Sequence, residues 1–310
     1  MNKIVIKAII LLIITVVIFV VLFRNIPFVE VATAIEKADF RVILLVLFVS
    51  ILNGLLISSF RWKLILDKMG LNLSLKELLF IKLGSEPVIS VMPFKVGEIS
   101  RVLYLNRRKD MPADKIAFSI FAEYLLNLLT LFFFIFLGAI YWIFQKVNLN
   151  LKDNLFIFSL IVKVPSFKNK LIDKLKKYFQ ILCRNKEVFL DKKILFFTFL
   201  SWIIELVGVY IISKAIGVEI PFFVILTYLP GVILLSSLPI SFLGLGVREG
   251  AMVFLFLKYA PSEKILALSI LYSFSEHILP VFLGLSLTYL FLNRIVFIKN
   301  KSYNEFFRKN

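Results

Sequence analysis

Two apolar stretches of this sequence are interrupted by charge, proline and glycine in a pattern suited to holding an anion. The first runs from Glu86 through Pro93-Phe94-Lys95-Val96-Gly97-Glu98-Ile99-Ser100-Arg101. The second reads Leu238-Pro239-Ile240-Ser241, then Gly244-Leu245-Gly246-Val247-Arg248-Glu249-Gly250. Arginine suits a phosphate because its planar fork donates two hydrogen bonds at once and stays charged. Pro93, Gly97, Pro239, Gly244 and Gly246 break helices, free backbone groups and create helix N-termini, which favour an anion. Glu86, Lys95, Glu98, Arg101, Arg248 and Glu249 are therefore the candidate substrate-binding residues, with carboxylates placed to pair with the arginines or take protons. Two blander assignments compete: Arg101 and Arg248 snorkel to headgroup depth, or they form structural pairs that lock the two segments together.

Three more carboxyls stand inside apolar runs. An ionisable group at membrane depth costs several kcal/mol unless paired or hydrated, so Glu123, Glu205 and Glu276 are candidates for proton coupling or for the pathway. The alternative for each is a hydrogen-bonded core carboxyl. His277, beside Glu276, is more often a satisfied helix–helix hydrogen bond than a switch.

The elements that position these residues follow from composition. Of 310 residues, 60% are hydrophobic and 34 are Phe, and the mean hydropathy is +0.93. One soluble core cannot bury that much apolar surface. Several runs also reach about 20 residues, the length that crosses a bilayer as a helix. The net charge of +17 gathers between and after the apolar runs, where the positive-inside bias and anionic lipid headgroups account for it; a nucleic-acid partner is not expected. The single cysteine, Cys183, and the single histidine exclude an internal disulfide and a Cys/His metal site. No metal, cofactor or enzyme constellation is expected: a P-loop, a dinucleotide fingerprint and a Ser/His/Asp arrangement are all missing.

The expected fold is all-α: a polytopic helical membrane protein of about six spanning helices plus two broken re-entrant hairpins in inverted repeats. The N-terminal part, 1–41, holds an uncleaved span at about 4–23 and an interfacial helix. The first repeat, 42–144, holds a span ending near Phe60, with Arg61-Trp62-Lys63 at headgroup level, then the broken segment and a long span. A weak span at 155–164 and a basic linker helix make up 145–193. The second repeat, 194–293, is followed by a basic tail, 294–310. Basic loops place both termini in the cytoplasm and make the two broken segments enter from opposite faces. Paired discontinuous helices of opposite orientation are the signature of inverted-repeat transporters.

At the two broken segments the sequence resembles the flippase-like membrane domain of lysylphosphatidylglycerol synthases, also found as stand-alone membrane proteins. Pro93 to Arg101 is similar to that family's Pro-x-x-x-Gly-Glu-x-x-Arg. Leu238-Pro239 with Gly244-Leu245-Gly246-Val247-Arg248-Glu249-Gly250 is similar to its Leu-Pro…Gly-x-Gly-x-Arg-Glu-Gly. The resemblance implies a cell-membrane protein that moves a phosphate-containing lipid or lipid-linked headgroup, with aminoacyl-phospholipid, polyprenyl-phosphate sugar and hopanoid-type lipids all open. It implies no catalysis by this chain, because no soluble synthase domain is expected on it, although a lipid- or glycan-synthesis enzyme is a possible partner. A membrane-embedded transferase and a non-transporting scaffold are the alternatives. The sequence departs from the family in two places. Glu123-Tyr124, with Asn127, stands where Glu-Arg and a following Asp are common, so an ion pair within that span is not expected. Phe242-Leu243 replaces a pair of glycines.

Overall fold

The computed structural model describes residues 3–144, 185–238 and 240–308, with side chains over 9–92, 96–141, 185–238 and 240–295. Among the described residues every regular element is a helix and none is a strand. Helix α1 (Lys3–Asn25) meets α2 (Phe28–Glu36) at a bend of 85°. The long α3 (Phe40–Lys68) follows, carrying a π turn at Asn53–Ile57. Next come α4 (Leu75–Val91), a 3-10 segment at Pro93–Glu98, and α5 (Ile99–Lys109). Helix α6 (Ala113–Phe144) ends the first half.

After a single turn at Lys186–Phe189, α7 (Lys192–Ala215) leads to α8 (Phe222–Ser237), a 3-10 turn at Phe242–Gly244 and α9 (Val247–Phe256). The last helix, α10, joins Ser262–Ser273, a π turn at Phe274–Ile278 and Leu279–Arg308. Four of these helices are long and apolar enough to cross a membrane, five if the bent α1–α2 pair counts as one. The sixth expected span, 155–164, lies outside the described residues, as do Cys183 and most of the basic linker.

Local chemistry starts the helices. Asp39, Ser74 and Asp191 accept hydrogen bonds from the first-turn amides of α3, α4 and α7, each satisfying donors that have no intrahelical partner. Asp191 also bonds Lys68 at 2.8 Å, and that hydrogen bond holds its carboxyl below the usual range. The outer faces stay apolar: Val20, Phe136 and Phe282 are 61%, 63% and 63% exposed. Such faces suit lipid, since water would drive them together.

The two halves pack reciprocally. The Asp39 amide donates to the Ala215 carbonyl at 3.0 Å while Lys68 meets Asp191, so α3 and α7 lie antiparallel. Helix α4 packs on α10, where Gly84 leaves room for Phe291 and Phe80 sits 4.4 Å from the Arg294 guanidinium. Helix α8 packs on α6, where Gly138 accommodates Thr227 and Tyr141 stacks on Phe223 at 4.8 Å. Lipid tails are as apolar as the side chains, so close contact through small residues holds such helices together.

The sequence puts the end of the second span near Phe60. The structure extends α3 to Lys68 and turns Arg61 and Trp62 inward, with Trp62 fully buried. Its indole N–H donates to Ser119 Oγ at 3.1 Å, which satisfies the one polar group that indole has to bury.

Candidate functional site

Both broken segments fold back on their own first helix. In the first, α4 contains Pro87 and ends at Val91, because Met92 is extended and Pro93 cannot continue the ladder. Gly97 then lies against the backbone of Ile89 so tightly that a side chain there would overlap Ile89 Cα. In the second, α8 contains Pro230, and Gly244, at φ +72°, lies against the Ser236 carbonyl in the same way. Each glycine meets the residue eight positions before it, and each turn delivers an arginine to the interior four residues later.

These arginines line one cavity of about 480 Å³ between the halves. Arg101, 6% exposed, is held by Glu98 at 3.1 Å, Glu86 at 3.5 Å and Ser85 Oγ at 2.8 Å. Tyr124 donates to the other oxygen of Glu98 at 2.5 Å. The face of Trp62 lies 5.7 Å from the guanidinium and 5.7 Å from Lys82 Nζ, the geometry of a cation–π contact.

Beside this cluster, Glu123 receives Arg61 at 3.0 Å and Lys82 at 2.8 Å. Ser58 bonds both Lys82 and Glu123, and Asn127 accepts from Arg61 at 2.7 Å. The cations that the sequence around Glu123 lacks thus come from α3 and α4. Sequence reasoning missed Arg61 and Lys82 as site residues. The helical spacing of Ser58, Arg61, Trp62 and Ile65, which share one face of α3, is the signal that could have found Arg61.

On the opposite wall Arg248, 2% exposed, donates to Ser273 Oγ at 3.0 Å and the Leu243 carbonyl at 3.3 Å. It also contacts His277 Nε2 at 2.5 Å and covers the Tyr272 ring at 5.7 Å. Tyr272 donates to Glu205 at 2.5 Å. Glu205, Glu276 and His277 all line the cavity, Glu276 from the π turn of α10, a helix irregularity frequent at functional sites.

Of the expected substrate-binding residues, Glu86, Glu98, Arg101 and Arg248 line the cavity, as do Glu123, Glu205 and Glu276. Glu249 does not. It is fully buried behind the wall, with one oxygen on Ser273 Oγ and the other on the Gly246 amide, both at 2.5 Å. It caps α9 and fixes the turn that carries Arg248. Lys95 lies in the 3-10 segment with its side chain outside the described residues, as is the side chain of Pro93; Pro239 lies outside them altogether.

Buried charge converging on a polar cavity inside an apolar, outward-facing helical bundle defines a polytopic helical membrane protein with an internal polar site. The chain belongs to the family described as the lysylphosphatidylglycerol synthase TM region, which matches residues 5–284. No curated protein matches it.

Proposed function

We propose that this protein moves a phosphate-bearing lipid, or a lipid-linked headgroup, across the cytoplasmic membrane by alternating access, without chemistry on the lipid. The observation that carries this reading is the convergence of Arg101 and Arg248, one from each broken segment, on one cavity. Its volume is within the range of small-ligand sites. Leu11, Leu55, Ile89 and Leu283 on the same walls would meet the apolar end of a headgroup. Family membership supports a lipid as the cargo.

The reciprocal packing supports an inverted repeat. Exchanging α3 with α7, α4 with α8 and α6 with α10 turns the α4–α10 contact into the α8–α6 contact. Each broken hairpin leans on the long helix of the other half, an arrangement in which one half rocks against the other around a fixed site. The same reading places both termini in the cytoplasm. In a Cys183→Ser background, single cysteines at Asn106 and Ser262 should label from opposite sides of the membrane; labelling from one side would remove the inverted repeat.

The functional test is translocation of fluorescent phosphatidylglycerol in proteoliposomes. Each lost arginine removes charge-assisted hydrogen bonds to phosphate, so Arg101→Ala and Arg248→Ala should each slow translocation by about 10- to 100-fold. Arg101→Lys should recover part of the rate, since it keeps the charge and loses the fork. Full activity in both alanine variants would end the phosphate role. A new lipid species in mass spectra of the vesicles would replace transport with a transferase.

A further inference from the structure

The carboxyls of the cavity divide into two sorts. Glu86, Glu98 and Glu123 each sit within 4 Å of a cation: Arg101 for the first two, Arg61 and Lys82 for the third. Among the described residues no such ion pair reaches Glu205 or Glu276. Glu205 accepts from Tyr272, and Glu276 stands one helical turn beyond Tyr272 on α10 and lines the same cavity. The two come to that cavity from α7 and α10. Two carboxylates brought to one cavity with no cation within ion-pair distance repel, and a shared proton is the ordinary way such pairs persist.

A second observation bears on the same wall. Arg248 keeps its Nε without a hydrogen-bond partner although the side chain is 2% exposed. The cavity lining that the carboxyl pair shares includes Tyr272, Ser275 and His277 from α10 itself, Ser50 from α3 and Arg248 from α9, with Arg61, Lys82 and Arg101 from α3, α4 and α5. Arg61, Lys82 and Arg101 are paired with Glu123, Glu86 and Glu98; among the described residues Arg248 is in no such ion pair and has donor capacity to spare.

We infer that Glu205 and Glu276 form a proton-binding site linked to anion binding at Arg248, so that a proton and the lipid phosphate are taken up together. The coupling element is competition for the guanidinium. With the proton gone, two carboxylates attract Arg248 and oppose an incoming phosphate. With the proton bound as a carboxyl–carboxylate pair, one negative charge disappears and Arg248 is available to the phosphate. No bond other than the O–H bond forms or breaks, and the proton comes from and returns to water. Linkage makes the effect reciprocal: the phosphate must strengthen proton binding by the same factor that the proton strengthens phosphate binding. Glu123 is excluded from this role because two cations and a serine already hold it as a carboxylate.

This inference rests on the lipid reading for its cargo, and its test separates the two. The probe is dioctanoyl phosphatidylglycerol, a phosphodiester whose own charge is constant between mildly acidic and mildly alkaline pH. Calorimetry on the detergent-solubilised protein, in buffers of different ionisation enthalpy, reads both affinity and protons taken up. Binding is expected to be about tenfold tighter at the acidic end, a coupling of ordinary size, with close to one proton taken up per lipid at intermediate pH. Glu205→Gln combined with Glu276→Gln should abolish the uptake and flatten the pH dependence, while Glu219→Gln, at an exposed carboxyl outside the cavity, should leave the uptake in place. Infrared difference spectra titrated with pH, without lipid, should show a protonated-carboxyl C=O band that the double variant lacks. That band with no lipid binding at any pH would overturn the lipid reading and the linkage but keep the proton site. Binding without proton uptake, or uptake that survives in the double variant, would overturn the proton site and leave the lipid reading standing.

Discussion

Glu123→Ala is expected to be the most damaging single substitution in the protein, with a loss of about 3–5 kcal/mol. Glu123, 6% exposed, is the shared counter-ion of Arg61 and Lys82, themselves 3% and 6% exposed. Removing it leaves two cations facing each other in a cavity with only Ser58 and Asn127 to receive them. Breaking a buried pair costs more than the pair contributed, because the orphaned charge keeps its desolvation penalty. Thermal unfolding in detergent, followed by fluorescence-detected size exclusion, should show the variant losing its monodisperse peak well below the wild-type midpoint.

The origin of that loss is testable by compensation. Lys82→Met removes one cation and keeps the volume of the stem, so Lys82→Met with Glu123→Gln should recover much of the stability lost by Glu123→Gln alone. Residues that share a charge network are non-additive by about 0.5–3 kcal/mol. Additivity within experimental error would mean that Glu123 acts by packing and not as a counter-ion.

The same network shows what one sequence can and cannot display. The apolar runs and the prolines place the helices and the two breaks, because bilayer thickness and the missing proline N–H act locally. Arg101 and Arg248 are likewise visible, as charges that lipid would not tolerate. Arg61 was not, because Arg61-Trp62-Lys63 after an apolar run has the composition of a headgroup-level end. Only the further turns of α3 to Lys68 bury it. Lys82 reads locally as a charge that spoils a lipid-facing helix, and its partner lies 41 residues on. Glu249 fails in the other sense: it follows Arg248 in sequence, but successive helical positions point in different directions, so one lines the cavity and the other caps the helix behind it.

Gly97→Ala and Gly244→Ala carry the second large effect, and they probe the breaks without touching a charge. A methyl group at Gly97 would overlap Ile89 Cα, and one at Gly244 would overlap the Ser236 carbonyl. Backbone cannot step aside as a flexible side chain can, so each change must pry the 3-10 turn off its helix, an overpacking cost of about 1–3 kcal/mol. Gly244 also sits at φ +72°, where any side chain adds roughly 1–2 kcal/mol, so Gly244→Ala should be the worse of the two. Gly231→Ala and Gly250→Ala are the controls: nothing lies within 4 Å of a Cβ at either, and both are helical. Alanine there should be neutral or stabilising by up to about 1 kcal/mol. Because Arg101 and Arg248 each follow their glycine by four residues, prying the turn loose should also displace the arginine. Translocation should therefore fall in Gly97→Ala and Gly244→Ala by more than the fraction of protein unfolded, when both are measured on the same preparation. If activity merely tracked the folded fraction, the turns would be structural clasps, and the arginines would hold their places without them.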